Sequence, residues 1–118
     1  MKYFVFKIAG INMIKDKSIL QFVLKNGAKI KLKHAPYKSP DGRNDDPYAI
    51  KILAEVNNKW EQIGWIPKRD KHFDVSPNKM LIETIKNGKK IRKVEIVKFG
   101  TFYDVKKRYY GSIKVWLE

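Results

Sequence analysis

The sequence predicts a mainly β fold with one or two short helices, organised as a single domain over residues 1–118. Short apolar runs with a period of two recur along the chain, which is typical of half-buried strands. Pairs of turn-forming residues, such as Asn57-Asn58, separate these runs. One stretch only, SPNKMLIETIKNG, carries clear helical signals at both ends. A domain of 118 residues can bury a core without disulfides.

The first third of the chain is predicted to form three strands. KYFVFKIAG is rich in aromatic and β-branched residues and ends at Gly10, where a turn or bulge is expected. ILQFVLKNGAKIKLKHA is predicted to be a hairpin around Asn26-Gly27, because Asn-Gly is the strongest short hairpin signal.

The second arm of this predicted hairpin alternates apolar and basic residues. The inward set is Ala28, Ile30, Leu32 and His34, and the outward set is Lys29, Lys31 and Lys33. Such a row of ammonium groups is either an ordinary solvated face or a ridge that follows phosphate groups. The residues alone leave both interpretations open.

The remaining elements follow from local signals. APYKSPDGRNDDP is a proline-rich loop, and strands over 48–56 and 60–66 come next, joined by an Asn-Asn-Lys turn. Ser76 is expected to cap a helix that has Pro77 at its first position and ends near Gly88, after a possible helical turn over 68–73. KKIRKVEIVKFG and GSIKVWLE are the closing strands. Short strands, tight turns and few helices predict a small OB-like or SH3-like β-barrel.

The charge of the chain is strongly positive and unevenly distributed. The formal net charge is +14; residues 1–40 carry nine basic residues and one acidic residue, whereas residues 41–75 carry six basic and seven acidic residues. A genome-wide bias toward lysine should raise glutamate as well, yet the chain has only five glutamates. The composition therefore favours a polyanion as partner.

The residues also bear on catalysis and location. The chain has no cysteine and two histidines, and no glycine-rich phosphate loop or nucleophile elbow is present. Pro40-Asp41 resembles the start of a restriction-type nuclease motif, but Asn57 stands where its lysine would be needed. We therefore expect a protein that is not an enzyme, with no metal and no cofactor. No apolar run is long enough for a membrane span, so a cytoplasmic protein without membrane contact is expected.

The segment DDPYAIKI…EQIGWIPK resembles the HIRAN domain, a module found in fork-remodelling helicase-like ATPases and in bacterial proteins. The family pattern of Asp-x-x-Ala-Ile, a strand, a turn and a strand ending in Gly-aromatic is matched here. The matching residues are Asp46, Ala49, Ile50, Gly64, Trp65, Ile66, Pro67 and Lys68. The first-strand glycine, the following helix and Phe99-Gly100 also occur in the family's order.

The resemblance implies an OB-like barrel that captures the 3′ end of single-stranded DNA. It assigns Asp46 to the terminal 3′-hydroxyl, Trp65 to the terminal nucleotide, Lys68 to a phosphate and Phe99 to a base. These residue types suit the roles, since rings stack on bases and ammonium groups contact phosphates. From the residues alone, Asp46 is either this acceptor or a turn cap, and Trp65 is either a stacking platform or a core residue.

The chain departs from the family pattern at two places. Lys7 and Ile8 replace an aromatic pair before the first-strand glycine, and Gly42 and Arg43 replace paired asparagines, for which Asn44 is a substitute if the loop is offset. Lys7, Arg43 and Asn44 are themselves candidate DNA contacts, and basic and aromatic residues elsewhere could compensate for these departures. They are Arg69 after the motif, and Arg108 and Tyr109 in the segment KFGTFYDVKKRYYG, where Phe102, Tyr103, Lys106, Lys107 and Tyr110 also lie. From the residues alone, this segment is either such a contact surface or a long hairpin whose rings are buried.

The expected function is a single-stranded DNA-binding module that senses the 3′-hydroxyl end in repair, replication or mobile-element processing. The alternatives are an adaptor that docks a helicase or nuclease subunit, and a barrel that binds RNA. No residue distinguishes DNA from RNA, because none is an evident reader of the 2′-hydroxyl.

Overall fold

The computed structural model describes residues 2–102 and 107–118. The bounds of the strands and helices follow the chain in order. The strands are β1 (Lys2–Lys7), β2 (Ile30–His34), β3 (Ile50–Val56), β4 (Lys59–Trp65), β5 (Ile91–Thr101) and β6 (Tyr109–Leu117), and the helices are α1 (Lys17–Asn26) and α2 (Pro77–Lys86). A 3-10 turn, Ile11–Met13, follows β1.

The described strands form two antiparallel sheets of three strands each, in the orders β1-β6-β5 and β2-β3-β4. The prediction of a mainly β fold with one or two short helices is thus confirmed, although helix α1 lies where a strand was predicted. The core lies between these elements and includes Phe6 of β1, Leu20 of α1, Ile52 of β3, Leu81 of α2 and Ile113 of β6, all fully buried.

The two sheets are joined by the chain just after β1. The N–H of Ala9 donates to the carbonyl of Trp65 and the N–H of Trp65 donates to the carbonyl of Ala9, each at 2.9 Å. On its other side, the N–H of Ile8 donates to the Gly111 carbonyl in β6. The two sheets also approach each other at a second place, where β2 of one sheet lies near β5 of the other.

Gly64 permits this crossing because it has no side chain. A Cβ at this position would lie 2.6 Å from the Ala9 carbonyl oxygen and closer still to Cγ2 of Ile8. Real Cβ atoms do not approach backbone this closely. The glycine before Trp65 is therefore a packing requirement of the junction between the sheets.

The hairpin predicted around Asn26-Gly27 is wrong, because its first arm is helix α1. Asp16 caps this helix by accepting the Ser18 N–H at 3.0 Å, and Leu20 and Val23 are buried at helical spacing. Gly27 has φ +69° and donates its N–H to the Val23 carbonyl at 2.8 Å, which ends the helix. Asn-Gly suits a helix C-terminus as well as a hairpin turn, since glycine tolerates positive φ in both.

Later elements follow the predictions more closely. Asn57 and Asn58 have φ values of 52° and 65° and form the tight turn between β3 and β4. Helix α2 begins at Pro77 after Ser76, as predicted, but the Ser76 side chain makes no capping hydrogen bond to the helix, and the apolar residue Ile85 is exposed. Residues 68–73 contain turns and no helix. Among the described residues, no helix has the length and apolarity to cross a membrane.

Substitution of Gly64 tests the junction. Gly64→Ala should lower the free energy of unfolding by about 2 kcal/mol or more, because backbone of the 8–9 segment would have to move. Gly100→Ala is the matched control: its Cβ would meet the end of the exposed Tyr110 ring, which can rotate away. Chemical denaturation of both variants measures the difference, and equal losses would contradict this account of Gly64.

Candidate binding site

An open cavity of about 450 Å³ lies beside the junction between the sheets. Residues from four separate segments line it. They are Ala9, Tyr37, Asn44, Asp46, Ala49, Trp65, Ile66 and Lys68. The cavity thus contains an indole, a phenol, a carboxylate, a carboxamide and an ammonium group. Four of the predicted site residues, Asn44, Asp46, Trp65 and Lys68, meet in it.

Trp65 is fixed at the end of β4 by its backbone pairing with Ala9. Its ring is half-buried and lies against Gly10, whose φ of +70° turns the chain away from the indole. The Nζ of Lys51 lies 5.8 Å from the centre of the same ring. One part of the indole remains open to the cavity, and the ring is not a member of the buried core.

Asp46 is half-buried at the start of the Asp-x-x-Ala-Ile segment, and both carboxylate oxygens are already engaged. Oδ1 accepts the Tyr48 N–H at 3.0 Å, which is the turn-capping contact that aspartate commonly makes. Oδ2 accepts a hydrogen bond from Nδ2 of Asn78 at 2.9 Å. Asp46 therefore caps the turn and lines the cavity, and two donors fix its orientation.

Asn78 is the residue that sequence reasoning missed. It is 1% exposed, and it is the one buried polar side chain among the described residues. The side-chain Oδ1 of Asn78 accepts a hydrogen bond from the Lys79 N–H at 2.7 Å and lies 2.8 Å from the Ser76 hydroxyl. The backbone N–H of Asn78 donates to the Pro67 carbonyl. Helix α2 is thereby tied to the segment after Trp65 and to Asp46. An asparagine in the first turn of a helix was the only signal in the sequence.

The loop before β3 forms the outer wall of the cavity. Tyr37 and Asp46 pair through two backbone hydrogen bonds of 2.8 and 2.9 Å, which brings the exposed Tyr37 ring to the cavity. Ser39 organises the tip of the loop by contacts with Asp41, Asn44 and Asp45. Hydrogen bonds from the Arg43 N–H and from the Ser39 hydroxyl lower the pKa of Asp41 below its usual value.

Three lysines lie in or near the cavity. Lys68 is exposed and lines it directly, while its carbonyl oxygen is 2.7 Å from the Ser76 hydroxyl. Lys51 lies over Trp65, and Lys79 lies over the ring of Tyr48 at 5.6 Å. An anionic ligand in the cavity would therefore meet the Lys68 ammonium group and one oriented carboxylate, with the Lys51 ammonium group over the adjoining Trp65 ring.

Other predicted site residues lie outside the cavity. Phe99 is half-buried, packs over Gly111, and has its ring 6.3 Å from that of Tyr109. Lys7 is exposed on β1, opposite Ser112 of β6. Arg69 is exposed beside Lys68 and lines a separate hollow. Arg43 is exposed at the loop tip, where its Nε is 4.0 Å from an Asp41 oxygen.

The late aromatic segment has one buried and one exposed tyrosine at adjacent positions. Tyr109, proposed as a DNA contact, is 2% exposed, because Asn12 brackets its backbone N–H and carbonyl and its ring packs in the core. Tyr110, on the opposite face of the strand, has the exposed ring, and the centre of this ring lies 4.9 Å from the centre of the Phe102 ring. Arg108 lies 5.4 Å over Phe102. Tyr103 and Lys106 lie outside the described residues.

Within residues 2–102 and 107–118, no cluster of three or more histidine, aspartate or glutamate side chains has the arrangement of a metal site. Comparisons of the chain with protein-family models, with curated proteins and with solved structures gave no match. The resemblance to HIRAN domains therefore stays a prediction from the quoted residues.

The contact between Asp46 and Asn78 predicts an unusual pH dependence. Asn78→Asp would set a second carboxylate against Asp46 in a buried position, where the two would share one proton and raise the pKa of the pair. The folded state would then bind that proton more tightly than the unfolded chain, so stability should rise as pH falls from about 7 to about 5.

Denaturation midpoints across this pH range measure the effect. Asn44→Asp is the matched control, since it adds the same charge to the same cavity at an exposed position. The control and the unsubstituted protein should not gain stability on acidification. A flat profile for Asn78→Asp would show that the introduced carboxylate does not face Asp46.

Proposed function

We propose that this protein is a single-stranded DNA-binding module and that the cavity between Asp46 and Trp65 receives the 3′-hydroxyl end of the strand. The observation that carries the proposal is the meeting of three chemically different groups in one cavity: a carboxylate, an indole and an ammonium group. Together they match the three parts of a terminal nucleotide, which are its hydroxyl, its base and its phosphate.

The carboxylate gives the site its selectivity for an end. Asp46 accepts one hydrogen bond at each oxygen, from Tyr48 and from Asn78, and a carboxylate oxygen has a second lone pair. A charge beside a polyanion is repulsive unless a donor satisfies it, and the terminal 3′-hydroxyl is the donor that an internal nucleotide lacks.

The Trp65 indole and the Lys68 ammonium group give the site its affinity for the base and the phosphate. A cavity of about 450 Å³ is in the size range of small-ligand sites, and Trp65 forms one side of it while Tyr37 lines it as a second aromatic residue. A base stacked on Trp65 would leave its phosphate within the field of Lys68 and Lys51. The net charge of +14 adds long-range attraction for any nucleic-acid strand.

The fold is consistent with this function. The two sheets are linked at Ala9 and Trp65 and approach again between β2 and β5, and we propose that they form an OB-like barrel of the HIRAN type. Barrels of this class commonly bind single strands on a curved basic face. The protein would act by binding alone, without a cofactor, in DNA repair, replication or mobile-element processing, beside a helicase or nuclease partner.

Strands that differ only in the chemical group at the 3′ end test the role of Asp46. DNA with a 3′-phosphate should bind much more weakly than the same strand with a 3′-hydroxyl, since phosphate replaces the donor by negative charge. Asp46→Asn should reduce the difference between the two ends, because it removes the repulsion and keeps an acceptor. Fluorescence polarisation with matched oligonucleotides measures both affinities.

Lys68→Ala is the control for this experiment. A phosphate contact carries no information about the end, so both ends should weaken alike. Equal affinity for hydroxyl-ended, phosphate-ended and circular strands would reject end recognition and leave Asp46 as a turn cap. Tighter binding of RNA would move the proposal to RNA, and no binding of either at low salt would favour the protein-docking adaptor.

Trp65 tests the stacking contact. Trp65→Ala should cost on the order of 1–3 kcal/mol of binding free energy while the fold persists. Base stacking should also quench Trp65 fluorescence, which becomes visible when Trp60 and Trp116 are replaced by phenylalanine. A Trp65→Ala protein that is less stable but binds normally when folded would show that the indole serves packing only.

A further inference from the structure

The outer face of the β2-β3-β4 sheet carries a second aromatic and basic surface, separate from the cavity. A shallow groove crosses this face. It is lined by Lys31 and Lys33 of β2, Lys51 and Leu53 of β3, and Trp60 and Gln62 of β4. These positions alternate with the buried Ile52 and Ala54, so they point away from the core.

Trp60 provides the aromatic ring of this surface. It is 39% exposed, and it is not part of the buried core. The Nζ of Lys31 lies 4.3 Å from the centre of its ring, which is close enough for a cation–π contact that holds the indole against the sheet. An exposed indole with an adjacent ammonium group is the pairing that single-strand binding proteins use for a base and its phosphate.

Lys51 lies between the groove and the cavity. In the strand register Lys51 stands opposite Trp65 on one side and opposite Lys33 on the other. Its ammonium group lies over the Trp65 ring, and its side chain also lines the groove. A strand that leaves the cavity past Trp65 therefore meets Lys51, Lys33 and Lys31 in turn before it reaches Trp60.

Beyond Trp60 the basic surface continues between the two sheets. Trp60 and Lys31 also line a second groove, together with Lys29 and with Arg92 and Lys93 of β5. Two carboxylates lie near this path. Glu55 stands opposite Trp60 in the register, and Glu95 accepts from Trp116 Nε1 at 3.0 Å and pairs with Lys93 at 3.2 Å. Cations outnumber carboxylates along the whole path.

We infer that nucleotides upstream of the 3′ end bind across this face, with Trp60 as a second stacking platform and Lys31, Lys33 and Lys51 as phosphate contacts. The inference rests on the proposed function, since it places the strand's end in the cavity. Trp60 and Trp65 stand opposite Glu55 and Lys51, which are four residues apart on β3, so the two rings are separated by about 13 Å along the strand. A bound strand would thus need at least about four nucleotides to contact both rings.

Oligonucleotide length separates the two surfaces. We would measure affinity for oligothymidylates of about three and about ten nucleotides, both with a free 3′-hydroxyl. Trp60→Ala should lower affinity for the longer strand about tenfold and leave the shorter strand within about twofold, whereas Trp65→Ala should weaken both. Trp60→Phe should restore most of the loss, because it keeps a ring at this position.

The lysines are tested by the salt dependence of the longer strand. The double variant Lys31→Gln, Lys33→Gln should lower the log–log salt slope by roughly 1.4, since each phosphate contact on a single strand contributes about 0.7. Lys86→Gln is the control for loss of charge alone, because Lys86 is exposed on α2 and lines neither groove. It should leave the slope nearly unchanged. Circular dichroism confirms that each variant is folded before binding is compared.

Each outcome decides one of the two proposals. If Trp60→Ala binds the longer strand as the unsubstituted protein does, the second platform is rejected, while preference of the short strand for a 3′-hydroxyl still supports the cavity. If the short strand does not bind but the longer one depends on Trp60 and the lysines, the sheet face is supported and the cavity is rejected as the end site.

Discussion

The backbone pairing of Ala9 with Trp65 is the contact on which the rest of the structure depends. It joins the β1-β6-β5 sheet to the β2-β3-β4 sheet, and the absence of a side chain at Gly64 is what lets the two backbones meet. Because this pairing fixes the end of β4, it also sets where the Trp65 indole lies. The cavity is the space left beside the junction, so one steric requirement underlies both the joining of the two sheets and the position of the site.

A buried polar network completes the site. Asn78 is inaccessible to water, and each of its side-chain polar atoms has a partner in Asp46, in Ser76 or in the backbone of Lys79. Removing the Asp46 carboxylate would leave the buried Nδ2 group of Asn78 unsatisfied, at a cost of roughly 1–3 kcal/mol, whereas Oδ1 has two donors, from Ser76 and from Lys79. The carboxylate is therefore held by the packing of α2, and a change in the position of this helix would be transmitted to Asp46.

The sequence predicted the features that local signals determine. The β3-β4 hairpin follows from Asn57-Asn58, and α2 follows from Ser76-Pro77, because both are decided by neighbours in the chain. Helix α1 was mispredicted as a strand because of Gly27, since a glycine with positive φ occurs both at helix ends and in hairpin turns. The role of Asn78 could not be read, because its partner Asp46 is 32 residues away. The choice of Tyr109 as a DNA contact was wrong, since which of two adjacent strand residues faces the core depends on the register with β5.

The fold places segments of different charge at different surfaces. Lys29 and Lys31 come from the basic first third, Arg92 and Lys93 come from the basic last third, and the four line one groove beside Trp60. Asp46 and Trp65 come from the near-neutral middle and form the cavity. A long-range field would thus draw a polyanion to the basic surface, whereas the cavity, with its oriented carboxylate, would select among the chemical groups that the strand presents. In the proposed function, attraction and selection fall to different segments of the chain, and Lys51, which lines the groove and lies over the Trp65 ring, stands between the two surfaces.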